Sequence, residues 1–233
     1  MQLLKKYAFI FLFITNITQL FAQEQVMNYS LTKGQVFDII LLSHQPDNKE
    51  KMKQYFATVF PIANARSYES LKGFSIKNPH TQGNYQPEVI AFGYWKDLAS
   101  RHAGVKALET ELTDFHEQRR TIWSSFNLTY YELKNDLSFS INREKYNVVT
   151  LYWQSDKGDF KKFKQQWTKA AQRAGGKTVV SLTDGESPFG YHFNPDWFSI
   201  TEWESEASFN EFYKKNLTMN HAGVLHVNQF VLK

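Results

Sequence analysis

Two stretches of this chain, PEVIAFGYWKDLAS (residues 87–100) and PDWFSITEWESEAS (residues 195–208), align without a gap. Pro87 meets Pro195, Glu88 meets Asp196, Trp95 meets Trp203, and the pair Ala99-Ser100 meets Ala207-Ser208. In both, an extended β-rich run passes straight into a helical pattern. Such self-similarity constrains the fold more than composition does, because it makes the chain two copies of one supersecondary unit.

The flanking patterns agree with a duplication. In the first half QVFDIILLS (35–43) is a continuous apolar, β-rich run, as expected of a buried strand. A helix follows in which Met52, Tyr55, Phe56, Val59 and Phe60 share one face. LKGFSIKN then predicts a second strand, NPHTQGNYQP a loop, EVIAFGYW a third strand, residues 97–124 a helical region interrupted near Gly104, and NLTYYELK a fourth strand. The second half repeats the order with KYNVVTLYWQS, the helix GDFKKFKQQWTKAAQRAG, GKTVVSLT, the loop DGESPFGYHFNP, DWFSITEW, the helix SEASFNEFYKKN and GVLHVNQFVLK. Asp159 begins the first of these helices, Phe160, Phe163, Trp167 and Ala171 form its apolar stripe, and Gly175-Gly176 stops it. Each half therefore reads β-α-β-β-α-β, the split unit of ferredoxin-like folds. The expected organisation is an α+β protein with a first unit over 34–136, a second over 137–233 and a flexible leader over 23–33.

Residues 1–22 have a basic start at Lys5 and Lys6, an apolar run from Tyr7 and a small residue at Ala22. That is the layout of a cleaved secretory signal, and the run is too short for a permanent membrane span. The expectation is a soluble protein, periplasmic or secreted. Its removal takes away two lysines and no acid, leaving a formal charge of +2 in place of +4. So balanced a chain offers no electrostatic footprint for nucleic acid. With no Cys, disulfides, thiol catalysis and cysteinyl metal sites are excluded, and 20 Phe and 12 Tyr must supply the bulk of the core.

The segment EWESEASFNEF (202–212), at the joint of third strand and second helix, resembles the hallmark of the dimeric α/β-barrel superfamily, which includes antibiotic-biosynthesis monooxygenases, heme-degrading monooxygenases, chlorite dismutases and the NIPSNAP family. YWKDLAS (94–100) is a reduced version of it. The resemblance implies two four-stranded antiparallel sheets packed face to face as a barrel, with helices outside. Here the two halves of one chain would pair, giving a monomer with an internal pseudo-dimer or a homodimer. It also implies small-molecule chemistry, such as cofactor-independent monooxygenation or isomerisation of an apolar or phenolic molecule. The alternative is a non-catalytic ligand-binding or interaction module. A heme is a lesser alternative: His221 lies near the axial position of the heme-degrading branch, but Phe212 stands where that branch has Trp, and no Asn occurs near Leu151 and Tyr152.

Strand alternation suggests site residues, since positions two apart face one way. Val89, Ala91, Gly93 and Trp95 share a face, as do Trp197, Ser199, Thr201 and Trp203. Small residues beside a tryptophan leave room, so these are expected on the inner, cavity-lining face, and the bulky Ile90, Phe92, Phe198 and Ile200 against helices. On the last strand His226 and Asn228 are then expected to point into the barrel, His226 as the catalytic base for a phenolic ligand. Trp95, Trp203, Tyr152, Asn228 and Tyr130 are the expected ligand-binding residues, with the second half, around Trp203, the better candidate for a pocket. No metal site and no cofactor are expected from the spacing of His, Asp and Glu.

Overall fold

The computed structural model describes residues 25–188 and 190–233, so the signal expected over residues 1–22 lies outside the described residues. The first unit runs β2 (Val36–His44), α1 (Lys49–Asn64), β3 (Glu69–Gln82), β4 (Val89–Trp95), α2 (Leu98–Glu111), α3 (Phe115–Ile122) and β5 (Trp123–Glu132). The second runs β7 (Tyr146–Gln154), α4 (Phe160–Arg173), β8 (Lys177–Thr183), β9 (Trp197–Trp203), α5 (Glu206–Asn216) and β10 (Val224–Leu232). Before the first lies β1 (Val26–Leu31), and between the two lies β6 (Leu137–Asn142).

The repeated motif is a helix start. Ser205 caps α5, its side chain accepting from the Ser208 backbone N–H while the Ser208 hydroxyl reaches back, a reciprocal capping box. At the matching place Asp97 caps α2 and accepts from Ser100 N at 2.7 Å. The recurring tryptophan ends the preceding strand and lies over a glycine: a Cβ on Gly104 would sit 2.2 Å from the Trp95 ring, and one on Gly176 would sit 2.6 Å from Trp203. Gly104 thus belongs to a close contact inside an unbroken α2. The helical region divides instead after Glu111.

Eight strands form one antiparallel sheet in the order β5-β2-β4-β3-β10-β7-β9-β8. Each unit contributes four adjacent strands, and β3 joins β10 across the first seam through the pairs Ile76↔Leu232 and Lys77↔Val231. To reach β10, β3 runs on to Gln82, into residues expected as loop. Buried Gln229 ties this seam, accepting from Thr81 Oγ1 at 2.8 Å and donating to Thr150 Oγ1 at 2.9 Å. At the other seam Tyr130 of β5 and Glu186, beyond β8, exchange both backbone hydrogen bonds, at 2.8 and 2.9 Å. The order closes on itself, and the architecture is the α/β barrel that the resemblance implied, with both halves in one chain.

Three apolar layers result. The barrel interior is filled by Phe37, Ile39, Ile90, Phe92, Val149, Leu151, Phe198, Ile200 and Phe230 among others. Outside it, Trp95, Leu108, Phe115 and Trp123 pack the first unit's helices onto the sheet, and Trp167, Trp197, Trp203 and Phe212 do so in the second. The expected facing of the third strands is therefore reversed. Ile90, Phe92, Phe198 and Ile200 fill the interior, while the tryptophan face looks outward to the helices. The bulky residues take the interior because two facing sheets must fill the space between them at close-packed density.

Residues 26–31, expected within a flexible leader, instead form β1. It pairs antiparallel with β6 through Tyr29↔Phe139, and Met27, Tyr29, Leu31, Phe139 and Ile141 join the interior core. Tyr29 stacks on Phe139 at 4.5 Å and meets Phe92 edge-on at 5.7 Å. Apolar-polar alternation in VMNYSL and LSFSIN lets this ribbon bury one face on the barrel.

Candidate functional site

A cavity of about 700 Å³ lies in the first unit, between the outer face of its sheet and α1–α3. Ala91 and Trp95 line it, so the space that small residues leave beside a tryptophan is real but opens on the helix side. Gly93 adds no volume, since the Tyr68 hydroxyl occupies the place of its missing Cβ. A smaller space of about 480 Å³ adjoins it, sharing His116, Arg119, Trp123, Phe126 and Tyr191.

The floor holds a buried ion pair. Asp38 interrupts the apolar run of β2, and its carboxylate accepts from Arg101 Nε at 3.0 Å and from Trp95 Nε1 at 2.9 Å. Both charged side chains are only 5 % exposed. The Arg101 guanidinium also lies 3.7 Å from the Tyr130 ring centre, and the Tyr130 hydroxyl donates to Glu186 at 2.6 Å. Burial first, and that bond second, push the Tyr130 phenol up to about 12. Charge in a low-dielectric wall is tolerable only when paired and hydrogen-bonded in this way.

At the mouth stands a second arginine in a different setting. Arg119 of α3 donates from Nε to Tyr55 Oη at 2.8 Å and from Nη1 to Tyr191 Oη at 2.6 Å. Its guanidinium lies 4.0 Å from the Phe115 ring centre and 4.3 Å from that of Phe126. Among the described residues no carboxylate pairs with it. Burial works against the charge, but the two phenols outweigh it and the guanidinium stays firmly protonated. Burial in turn pushes the Tyr55 phenol up, with Arg119 pulling against it. A permanent cation framed by rings, with N–H groups to spare, is built to receive an oxygen anion.

The second unit completes this mouth. Ser187, Pro188 and Tyr191, from the segment between β8 and β9, line the first unit's cavity. The segment is fixed by the Tyr130–Glu186 exchange, by Ser187 Oγ donating to Leu128 O at 3.1 Å, and by Thr129 Oγ1 donating to Phe193 O.

The second unit's own sheet–helix space is filled. Trp167 meets Trp197 edge-on at 5.3 Å and Phe212 at 5.1 Å, Trp203 stacks on Phe212 at 5.0 Å, and Tyr152 stacks on Trp197 at 5.4 Å. The strand pairings Asp38↔Gly93 and Val148↔Thr201 put Val148 where the first unit has Asp38. Phe209, next after Ser208, replaces Arg101, next after Ser100. Trp203 Nε1 consequently donates to Thr201 Oγ1, at 3.1 Å. These residues do not fit a heme: His221 packs on Phe163 at 5.3 Å, above a layer already occupied by fully buried rings.

Of the site residues expected from sequence, Trp95 and Tyr130 line the cavity together. Trp203 and Tyr152 are packing residues of the second helix layer. Asn228 is buried, its Oδ1 without a hydrogen-bond partner, and half-buried His226 packs on Trp153 at 5.1 Å. Neither His226 nor Asn228 lines either space, and both spaces lie against the first unit. Sequence reasoning passed over Asp38, Arg101, Arg119 and Tyr191. The visible signal was Asp38, a lone acid in QVFDIILLS, which demands a buried cationic partner. Nothing local marks Arg119 or Tyr191, which meet only through the fold. Among the described residues, no group of three or more His, Asp or Glu is placed to hold a metal ion, and no helix is long and apolar enough to cross a membrane.

Fold and site together define a tandem α/β barrel with a cavity of about 700 Å³ in the first of its two units. No protein-family model matches the chain, and no curated protein matches it. Among solved structures it is similar to an anthrone oxidase-like protein (15 % identity, 88 % of this chain and 94 % of that one covered, TM-score 0.46). It is similar too to a candidate monooxygenase from Lactobacillus acidophilus NCFM (10 % identity, 86 % and 94 % covered, TM-score 0.44). A mutant chlorite dismutase from Candidatus Nitrospira defluvii aligns at 8 % identity, with 87 % and 93 % covered and a TM-score of 0.48.

Proposed function

We propose that this protein binds a small, flat aromatic molecule carrying a phenolic or carboxylate oxygen, in the first unit's cavity, and holds that oxygen as an anion at Arg119. The observation that carries the reading is Arg119 itself: a guanidinium set among Phe115, Phe126, Tyr55 and Tyr191 beside about 700 Å³ of largely apolar space, without a carboxylate partner among the described residues. Ring-lined walls favour an aromatic body, and the cation selects its charge. An electron-rich phenolate is also the starting point for cofactor-independent oxygenation or isomerisation, the reaction classes proposed for this site. Export by the segment over residues 1–22 belongs to the same proposal. It is tested by recovering from the periplasm or medium a chain that lacks them.

Calorimetric titration with 1-hydroxy-2-naphthoate tests the site. A charge-assisted hydrogen bond contributes about 1.5–3 kcal/mol, so Arg119→Met is expected to weaken binding roughly 10- to 100-fold. His226→Ala, remote from the cavity, is expected to leave it unchanged. Equal affinity of wild type and Arg119→Met would overturn the reading. A loss with His226→Ala alone would move the site to β10.

A further inference from the structure

Resting on that cavity, we propose that Tyr191, His116 and Glu109 form a proton relay that deprotonates the bound phenol and removes its proton toward the surface. The Tyr191 oxygen already accepts from Arg119 Nη1 at 2.6 Å, so its own proton must point elsewhere. Among the described residues the acceptor it faces is His116 Nδ1, 3.5 Å away. That ring's other nitrogen, Nε2, lies 3.0 Å from Glu109 Oε1. An ionised carboxylate only accepts, so Nε2 carries the imidazole proton and Nδ1 presents its lone pair to Tyr191. The tautomer that a base needs is thus fixed by the pairing across the α2–α3 turn. Hydrogen bonds of this kind are commonly long without a ligand and shorten around one.

Proton transfer runs in two linked steps. The ligand O–H bond breaks, its electron pair stays on the ligand oxygen, and the proton forms a new bond to the Tyr191 oxygen. The original Tyr191 proton passes to His116 Nδ1. The products are a phenolate beside Arg119 and an imidazolium beside Glu109, so each new charge forms next to its opposite. No electron changes owner. The titratable and charged groups lining the same space include His102, Lys106 and Glu109 from α2, Tyr55 from α1 and Arg119 and Arg120 from α3, with Tyr191 from the second unit. His116 and Glu109 are each nearly half exposed, which gives the proton a route to water. The relay exists only because the segment between β8 and β9 crosses to the first unit, so neither unit alone contains it.

The test uses the full chain with 4-nitrophenol, whose phenolate is read by its absorption, titrated from mildly acidic to neutral pH. The wild type is expected to hold bound phenolate to a lower pH than free probe. His116→Gln and Tyr191→Phe are each expected to lower the bound phenolate-to-phenol ratio roughly tenfold at fixed pH, a shift of about one pH unit. His226→Ala, remote from the cavity, is expected to leave both the ratio and the affinity for the neutral phenol unchanged. Glu109→Gln, which keeps the imidazole but removes the charge behind it, is expected to fall between. Unchanged ratios in His116→Gln and Tyr191→Phe would overturn the relay while leaving the binding site standing. Failure of wild type to bind either 4-nitrophenol or the naphthoate would overturn the cavity reading, and the relay with it.

Discussion

Single residues separate the two halves more than their shared pattern does. The Asp38–Arg101 pair lies in a wall where a lone charge is very costly, and Trp95 is oriented by it. Arg101→Met leaves the carboxylate with one indole donor, and a loss of about 3–5 kcal/mol in urea unfolding is expected. Asp38→Val combined with Arg101→Phe copies the residues of the second unit, Val148 and Phe209, and should recover most of that loss while shrinking the cavity. Tyr131 makes the opposite case. Its hydroxyl is buried in the barrel interior with no partner, and burial pushes its phenol well above the usual range. Tyr131→Phe removes an unsatisfied group without changing shape, so a gain of about 1 kcal/mol is expected by the same measurement.

At the scale of elements, helix starts and helix faces follow local chemistry. Asp159 accepts from Lys162 N at 2.8 Å, the stripe Phe160, Phe163, Trp167 and Ala171 is buried, and Gly175 at φ +91° ends α4, all as the sequence pattern predicts. Ser205→Ala removes the cap of α5 and is expected to cost about 1 kcal/mol, measured by thermal unfolding with Ser208 intact. Two elements escaped: β1, within the expected leader, and β6, at the boundary between the two units, each too short to stand out. Each becomes a strand by pairing with the other, more than a hundred residues away, so no local window contains the reason.

Among the described residues an eight-stranded sheet, its edges bridged by Tyr130 and Glu186, surrounds one interior to which both units and the β1–β6 ribbon contribute. Unfolding is therefore expected as a single transition, coincident by far-UV circular dichroism and tryptophan fluorescence. Two separate midpoints would mean that the seams at β3–β10 and Tyr130–Glu186 do not hold the units together. Buried tyrosines set the alkaline limit. Tyr130 and Tyr146 are pushed up to about 12, and Tyr68, Tyr131 and Tyr152 further, with burial the first cause in each. An unfolded tyrosine ionises near pH 10, so the folded chain keeps protons that the unfolded one gives up. This stability is fully present below about pH 10 and is lost as pH rises toward and beyond 12. The melting temperature should fall over that window, together with the appearance of tyrosinate absorption.

The sequence by itself determined the two β-α-β-β-α-β units, their helix caps and the joint marked by Trp95 and Trp203, because these depend on neighbours within a few residues. The facing of the strands needed the tertiary structure. Both faces of β2 are largely apolar, with Phe37 and Ile39 on one side and Val36 and Ile40 on the other, so alternation alone does not say which side meets the opposite sheet. Only assembly decided that bulk fills the interior, that space remains under the first unit's helices, and that Arg119 and Tyr191, distant in the chain, meet at its mouth. The physical reason is that a cavity is what packing leaves over, and that depends on every element that could have filled it.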